Sequence, residues 1–243
     1  MLNKLDLERV VVLDIETVSQ NASYTSLDSE WKELWDLKAA NLKRKEEEDE
    51  ETLYKRAGIY AEFGKVVCIS VGFFRAYDDH YQFRIKSFYG DDEKAVLSDF
   101  AQLLDSRFHG KQFLLAAHNG KEFDFPYLAR RMVIQGISLP LMLDHAGKKP
   151  WEVPHLDTME LWKFGDFKHY TSLKLLAKVL GIPTPKDDID GSMVGEVYWK
   201  EQDLERIKVY CQKDVITVAQ MLLRFSGKRL LKQEELIFAD QED

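Results

Sequence analysis

The chain has 243 residues, enough for one large domain with a full core or two small ones. Hydrophobic residues make up 45% and aromatics 12%, as in an ordinary folded protein, and no apolar run nears the roughly 20 residues that span a bilayer. The net charge of −8 weighs against a simple polyanion binder, whose surface is usually basic. The N-terminus MLNKLDLERVVVLD lacks a secretory pattern, because its apolar run is short and flanked by acids. Cys68 and Cys211 have no metal-ligand spacing and read as reduced core thiols, which fits the cytoplasm.

In chain order, Val10 to Leu13 is a β-branched, apolar run that predicts a buried strand ending at Asp14. From about 19 to 64 the texture changes. Trp31, Leu34, Trp35 and Leu37 have roughly helical spacing, followed by Lys43-Arg44-Lys45 and an acidic run from Glu46 to Glu51. This segment reads as a charged, largely helical insertion, either a solvated helical face or loop or a substrate guide beside a site. Lys65 to Phe74 predicts a strand and His80 to Tyr89 its partner, with a turn at Tyr77-Asp78-Asp79. Asp91 to Leu104 has helical apolar spacing. Phe113 to Ala117 predicts a short buried strand broken by Asn119-Gly120, with a helix from about Phe125 to Gln135. After a Gly/Pro-containing stretch over 136–154, His155 to Thr158 predicts a short strand, with helices near 172–180 and 203–224. The order implies an α/β fold, a mixed sheet with helices on its faces, in a single domain over 1–243.

Three short stretches carry the chemistry. In Asp14-Ile15-Glu16 the acids are two apart, so on a strand both carboxylates share a face. Side by side at a buried strand they repel, and desolvation adds to the cost; a divalent cation removes both problems. Taken alone, the pair also reads as a strand ending in water, since Asp-X-Glu occurs about once by chance in such a chain. Asp124 precedes Pro126 at a predicted helix start, after the strand-end residues His118-Asn119-Gly120. Alone it reads as a helix N-cap, for which Asp is among the preferred residues. Tyr210 and Asp214 are an i, i+4 pair on a predicted helix and share one face. Alone they read as a surface tyrosine and a solvated acid.

Together and in this order, DIET, HNGKEFDFPYL and YCQKD resemble the three exonuclease motifs of the DEDD 3′–5′ exonuclease superfamily. The position five before the last Asp is Val209, where one branch has His; the position four before it is Tyr210, so the chain resembles the tyrosine branch, DEDDy. The wording around Asp124 is similar to the proofreading exonuclease domain of family B DNA polymerases. His155-Leu-Asp-Thr, Thr171-Ser-Leu-Lys-Leu-Leu-Ala and Leu180-Gly-Ile-Pro fit as landmarks, whereas the 19–64 insertion departs from the pattern.

The resemblance implies a ribonuclease H-like fold, a mixed five-stranded sheet with helices on both faces. It implies a free-standing 3′–5′ exonuclease with two divalent cations, Mg²⁺ or Mn²⁺, which would cancel half of the net charge. By resemblance Asp14 bridges both ions, Glu16 and Asp214 complete the site where water is activated, Asp124 holds the second ion and Tyr210 orients the water. The substrate is a nucleic acid with a free 3′ end, single-stranded or frayed, with DNA favoured, and the products are 5′-nucleoside monophosphates. Ile15 and Thr17 are placed near the terminal nucleotide, with Asn119 and Phe123 as further contacts. Lys163, Lys168, His169 and Lys174 read either as a phosphate-contacting strip or as ordinary solvated residues. The alternatives are an exoribonuclease that processes RNA 3′ ends, a phosphohydrolase of small phosphates, or a silent binding module of the same fold.

Overall fold

The computed structural model describes residues 4–42, 48–78, 80–108, 113–166, 170–183 and 189–239. The central strand β1 spans Val10–Ser19. It does not stop at Asp14 as the apolar run predicts. Antiparallel pairing with β2 (Gly64–Ala76) continues past both acids to Ser19 opposite Gly64, so backbone hydrogen bonds hold the polar half extended. Between β1 and β2 lie two helices, α1 (Ser29–Ala39) and α2 (Glu50–Tyr54). β3 (Tyr81–Tyr89) is antiparallel to β2 and leads into α3 (Glu93–Arg107). β4 (Leu114–Ala117) runs parallel to β1 and is followed by α4 (Asp124–Ile134). β5 (Leu156–Asp157) pairs parallel with β4 and feeds α5 (Thr158–Lys163), then α6 (Leu173–Val179). A short turn α7 (Val194–Glu196) widens into a π-turn over Val197–Glu201 before the long α8 (Leu204–Phe225).

The sheet order is β5-β4-β1-β2-β3-β6, in which only β2 runs against the others. This is the mixed α/β arrangement expected, with six strands rather than five. The sixth, β6 (Leu236–Phe238), lies parallel to β3 at the edge, and three residues are too short to show an alternation. The predicted strand at His155–Thr158 shrinks to β5. Thr158 instead opens α5, because the Asp157 side chain caps the Met159 N–H.

Alternation along β1 divides the core. Val11, Leu13 and Ile15 pack with α3 and α4 on one face; Val10 and Val12 pack with Val215, Val218, Ala219 and Leu222 of α8 on the other. In α8 the residues Ile207, Cys211, Val215, Val218 and Leu222 recur at three- and four-residue steps, which fixes the helix face on the sheet. Among the described residues, no helix is long and apolar enough to cross a membrane.

The segment between β1 and β2 is helical as expected, but it is more than a solvated face. Leu27, Trp35, Ala39, Leu53, Tyr54, Ala57 and Phe63 form a core of their own. The Trp35 Nε1–H donates to the Glu50 carbonyl at 2.8 Å, satisfying the one polar atom of a fully buried ring. The basic triplet and the first acids of the acidic run lie outside the described residues.

This segment is tied to the sheet through α4. The Tyr127 hydroxyl donates to the Gly58 carbonyl and Arg131 Nη1 to the Ala61 carbonyl, both at 2.8 Å. Arg131 also makes a two-pronged pair with Glu93 of α3, at 2.8 and 2.5 Å, and Glu93 accepts from the Val66 N–H of β2 at 2.8 Å. Both side chains are buried, so removal of one partner strands the other's charge. Glu93→Ala is expected to lower unfolding stability by about 3–5 kcal/mol. Urea denaturation reads this, and a loss under about 1 kcal/mol would show that the pair does not hold α4 in place.

Candidate functional site

Asp14 and Glu16 occupy even positions of β1, so both point to the α8 face, as the alternation predicts. They stand opposite Ser70 and Cys68 of β2. Directly after Glu16 the register slips by one residue, so Thr17 faces Val66 and Val67 is left over. That bulge turns both Val67 and Cys68 toward α8, where they pack with Ile207 and Cys211.

α8 supplies the other side. Tyr210 and Asp214 flank its buried stripe, and the Tyr210 hydroxyl donates a hydrogen bond to the Asp214 carboxylate. The i, i+4 spacing thus brings the two together. Between them, the Cys211 thiol donates to the Asp14 backbone carbonyl at 3.3 Å. Donor atoms of Asp14, Glu16 and Cys211 all lie within 4.8 Å of one another. Cys211 is a core thiol as expected, but the sequence alone did not show it beneath the carboxylates.

Asp124 arrives from α4. It is the first helical residue and not the N-cap, which is Phe123 without a side-chain cap bond. Its carboxylate instead accepts from its own N–H and from the backbone N–H of Ile15, the residue between the two β1 acids. A buried acid, 3% exposed, is thereby aimed at the strand.

The four carboxylates act on one another. Burial, then Glu16, Asp214 and Asp124, push the Asp14 carboxyl well above its ordinary range. Burial, then Asp214, Cys68 and Asp124, raise Glu16 likewise. Burial first, with Asp157 and Asp214 adding to it against backbone donors, raises Asp124 to about 7. Tyr210 is pushed up by burial, then by Asp214, Glu16 and Asp14, so its hydroxyl stays protonated. The dominant influences on the three raised acids include no lysine or arginine. Asp14 Oδ2 is buried without a hydrogen-bond partner among the described residues. A set of carboxylates with uncompensated negative charge and an orphaned carboxylate oxygen fits a hard divalent cation.

The expected substrate contacts fare differently. The side chain of Ile15 is 5% exposed and packs in the α3/α4 core, so only its backbone can lie near a nucleotide. β-strand alternation explains this, because Ile15 must point away from the face that Asp14 and Glu16 share. Thr17 is half-buried and donates to the Tyr127 hydroxyl. Phe123 is half-buried, packed on the core with its ring 5.3 Å from that of Tyr127. Asn119 has a left-handed backbone, φ 64°, and its Oδ1 is buried with no partner among the described residues. Lys163 is half-buried and Lys174 exposed, while Lys168 and His169 lie outside the described residues.

Two residues beside the site were seen in the sequence only as part of landmarks. Asp157 is buried at the end of β5 and accepts from the backbone N–H groups of Asn119, Lys121 and Met159 at 2.9, 3.2 and 2.9 Å. It shapes the turn that leads to Asp124. His118 Nε2–H donates to the Thr171 carbonyl at 2.8 Å, which leaves Nδ1 to accept from the Thr158 hydroxyl at 2.9 Å. Burial lowers its pKa and favours this neutral form. Gly120 sits where a Cβ would meet Ala117 Cβ at 2.5 Å and the Phe125 ring at 2.9 Å, so a side chain there would shift the same turn.

A family described as predicted 3′–5′ exonucleases related to the exonuclease domain of PolB matches residues 59–236. The matched span holds Asp124, Tyr210 and Asp214; Asp14 and Glu16 precede it. Among solved structures, the family B DNA polymerase from the hyperthermophilic archaeon Pyrobaculum calidifontis is similar at 18% identity, with a TM-score of 0.48 over 88% of this chain. The chain spans 24% of the length of that polymerase. With the family match running through most of its length, the chain belongs to the predicted 3′–5′ exonucleases related to the exonuclease domain of PolB.

Proposed function

We propose that the protein is an active, metal-dependent 3′–5′ exonuclease that hydrolyses single-stranded or frayed nucleic acid, DNA preferentially, into 5′-nucleoside monophosphates. The observation that carries this reading is that the metal-binding atoms of Asp14 and Glu16 lie within 4.8 Å of one another while Asp124 and Asp214 act electrostatically on both, with Tyr210 bonded to Asp214. Membership of a family related to a DNA polymerase's exonuclease domain supports DNA over RNA. A single domain in the cytoplasm belongs to the same reading, supported by two buried free thiols.

In this reading Asp14, Glu16, Asp124 and Asp214 hold two divalent cations, with Mg²⁺ suited to their oxygens and Mn²⁺ able to replace it. When bound, such ions neutralise charge on the scissile phosphate and make water a competent nucleophile at neutral pH. The chain's own groups do the rest. Asp214 accepts the Tyr210 hydrogen bond and fixes the ring, so the phenol oxygen is presented to the attacking water. Burial and the neighbouring carboxylates push the Tyr210 hydroxyl up, and in this reading it acts as a neutral hydrogen-bonding group. The Ile15 N–H and the turn held by Asp157 set the position of Asp124.

Incubation with 5′-labelled DNA and RNA strands, with and without Mg²⁺, tests the reaction and its substrate together. Stepwise shortening from the 3′ end that requires the metal, faster on DNA, is the expected result. Asp14→Ala and Asp214→Ala should each lose at least about 10³-fold in rate, and Tyr210→Phe about 10²-fold. An Asp14→Ala protein as active as wild type would sink the assignment.

The raised carboxylates also set a pH dependence. Asp124 titrates at about 7 in the folded protein against about 4 when unfolded, so the folded state holds the extra proton between those values. Stability of the cation-free protein from this group therefore falls as pH rises through that window. Bound cations displace the proton and relieve the repulsion. Saturating Mg²⁺ should raise the melting temperature by about 5 °C near pH 8 and by much less near pH 5.5. His155, lowered to about 4 chiefly by burial, loses stability as pH falls instead. It affects both arms equally and cancels in the difference. Equal Mg²⁺ shifts at the two pH values would contradict a cation on these carboxylates.

A further inference from the structure

We propose that Cys211 joins Asp14 and Glu16 in a mixed thiolate–carboxylate site for a thiophilic divalent cation such as Zn²⁺, which competes there with the hard ions that hydrolysis needs. The inference deepens the exonuclease reading and rests on it for the effect on hydrolysis. The donor atoms of these three residues all lie within 4.8 Å of one another. Bonds of about 2.3 Å to sulfur and about 2.0–2.2 Å to oxygen set the ligand atoms of one zinc roughly 3–4.5 Å apart, so small side-chain movements close the site.

The fold brings the sulfur in. Cys211 lies on the buried stripe of α8, which faces the side of β1 that carries both acids. A free thiol in a core is ordinarily surrounded by apolar groups. This one packs with Val67 and Ile207 yet stands within ligand distance of two carboxylates. Cys211 is fully buried and Glu16 is 7% exposed, so both donors meet a cation away from bulk water. Asp14 Oδ2, buried with no hydrogen-bond partner among the described residues, belongs to the same set. Asp14 as a whole is only half-buried, which leaves the cation a way in.

Without such a cation the thiol keeps its proton. Burial, then Cys68, Asp14 and Glu16, push it well above the ordinary thiol range, and the S–H donates to the Asp14 carbonyl at 3.3 Å. On loading, the S–H bond breaks, a sulfur–metal bond forms and the proton leaves to water, with no change of oxidation state. The Asp14 carbonyl then loses its donor. The peptide between Asp14 and Ile15 is released on the Cys211 side, while Asp124 still accepts from the Ile15 N–H.

Ligand chemistry separates the two kinds of ion. Mg²⁺ takes oxygen, keeps several waters and gains nothing from sulfur. Zn²⁺ takes thiolate and carboxylate together, and a soft ligand strengthens its hold. A zinc ion bound to Cys211 draws Asp14 and Glu16 out of the two-ion arrangement. Zinc therefore silences the enzyme instead of replacing Mg²⁺, and the sulfur beneath the acids makes hydrolysis sensitive to thiophilic metal.

The test is a Co²⁺ titration of the full chain under nitrogen, without Mg²⁺ or nucleic acid. Co²⁺ stands in for zinc and gives a sulfur-to-metal charge-transfer band in the near ultraviolet when a thiolate ligates it. Wild type and Cys68→Ser should show the band, Zn²⁺ should erase it, and Cys211→Ser should lack it. Serine keeps a hydroxyl for the Asp14 carbonyl, and melting curves show whether each variant is folded. Zn²⁺ affinity should fall at least about 100-fold in Cys211→Ser, beyond what loss of a supporting contact costs. In the presence of Mg²⁺, micromolar Zn²⁺ should slow strand shortening by wild type at least about tenfold. A wild type without the band overturns the site whatever the variants do. A band that survives in folded Cys211→Ser, or that vanishes equally in folded Cys68→Ser, overturns the assignment to Cys211. Because the band is read without substrate, a wild type that shows it yet never shortens a strand in Mg²⁺ overturns the exonuclease reading and leaves the thiolate site standing.

Discussion

Repulsion among buried carboxylates is the constraint around which this fold is arranged. Burial and mutual charge both raise Asp14, Glu16 and Asp124, and the main influences on them include no cationic side chain. Such a cluster works against the folded state and has to be held by interactions elsewhere. The β1–β2 ladder holds the first two acids through backbone hydrogen bonds that their charges cannot break individually. Apolar burial along α8 holds Asp214 and Tyr210. The Arg131–Glu93 pair sits on the far face of the sheet from α8, linking α3 and α4 while keeping its own charges satisfied. The fold thus places its buried cation where it supports α4 and leaves the cluster's charge for a ligand.

The two faces of β1 divide the work. Odd residues lock the strand to α3 and α4, and even residues begin as core with Val10 and Val12, carry the acids at 14 and 16 beside Cys211 of α8, and return to core with Val18. Ile15 shows the link between the faces, since its side chain packs on one while its N–H fixes Asp124. A shift of β1 by one residue would bury both acids in the α3/α4 core and expose Ile15. The register is therefore set by the same residues that make the site.

Much of this was legible in the sequence because it follows from short-range periodicity. Period-2 alternation puts Asp14 and Glu16 on one face, and the i, i+4 spacing brings Tyr210 to Asp214. The strands β1 to β4 and the long C-terminal helix follow from apolar runs of adequate length. What was not legible depends on distant pairing. β1 runs on to Ser19 because β2 is there to pair with it, which no local propensity reveals. Asp124 looked like an N-cap because its true donor, Ile15, is far away in sequence. The core of the insertion was hidden because Trp35 meets Leu53, Tyr54 and Phe63 across a charged stretch that dominates the composition. Asp157 and His118 were visible as letters, but their roles come from bonds spanning some 36 to 53 positions.

The family match begins at residue 59, so it contains one half of the candidate site and not the strand that carries the other half. The structure makes that division physical. Everything from Gly64 onward supplies a cradle: β2 on one side of β1, β4 on the other, α4 and α8 above and below. β1 is the insert that completes it, and its backbone is addressed directly by the cradle, through the Cys211 thiol on the Asp14 carbonyl and the Asp124 carboxylate on the Ile15 N–H. These two bonds bracket one peptide unit, from the carbonyl of residue 14 to the N–H of residue 15. Fixing that single plane from both ends sets the direction of the side chains on either side of it. The precision of a two-carboxylate strand motif therefore lies as much in its backbone as in its acids, and any change that tilts this peptide moves Asp14 and Asp124 together.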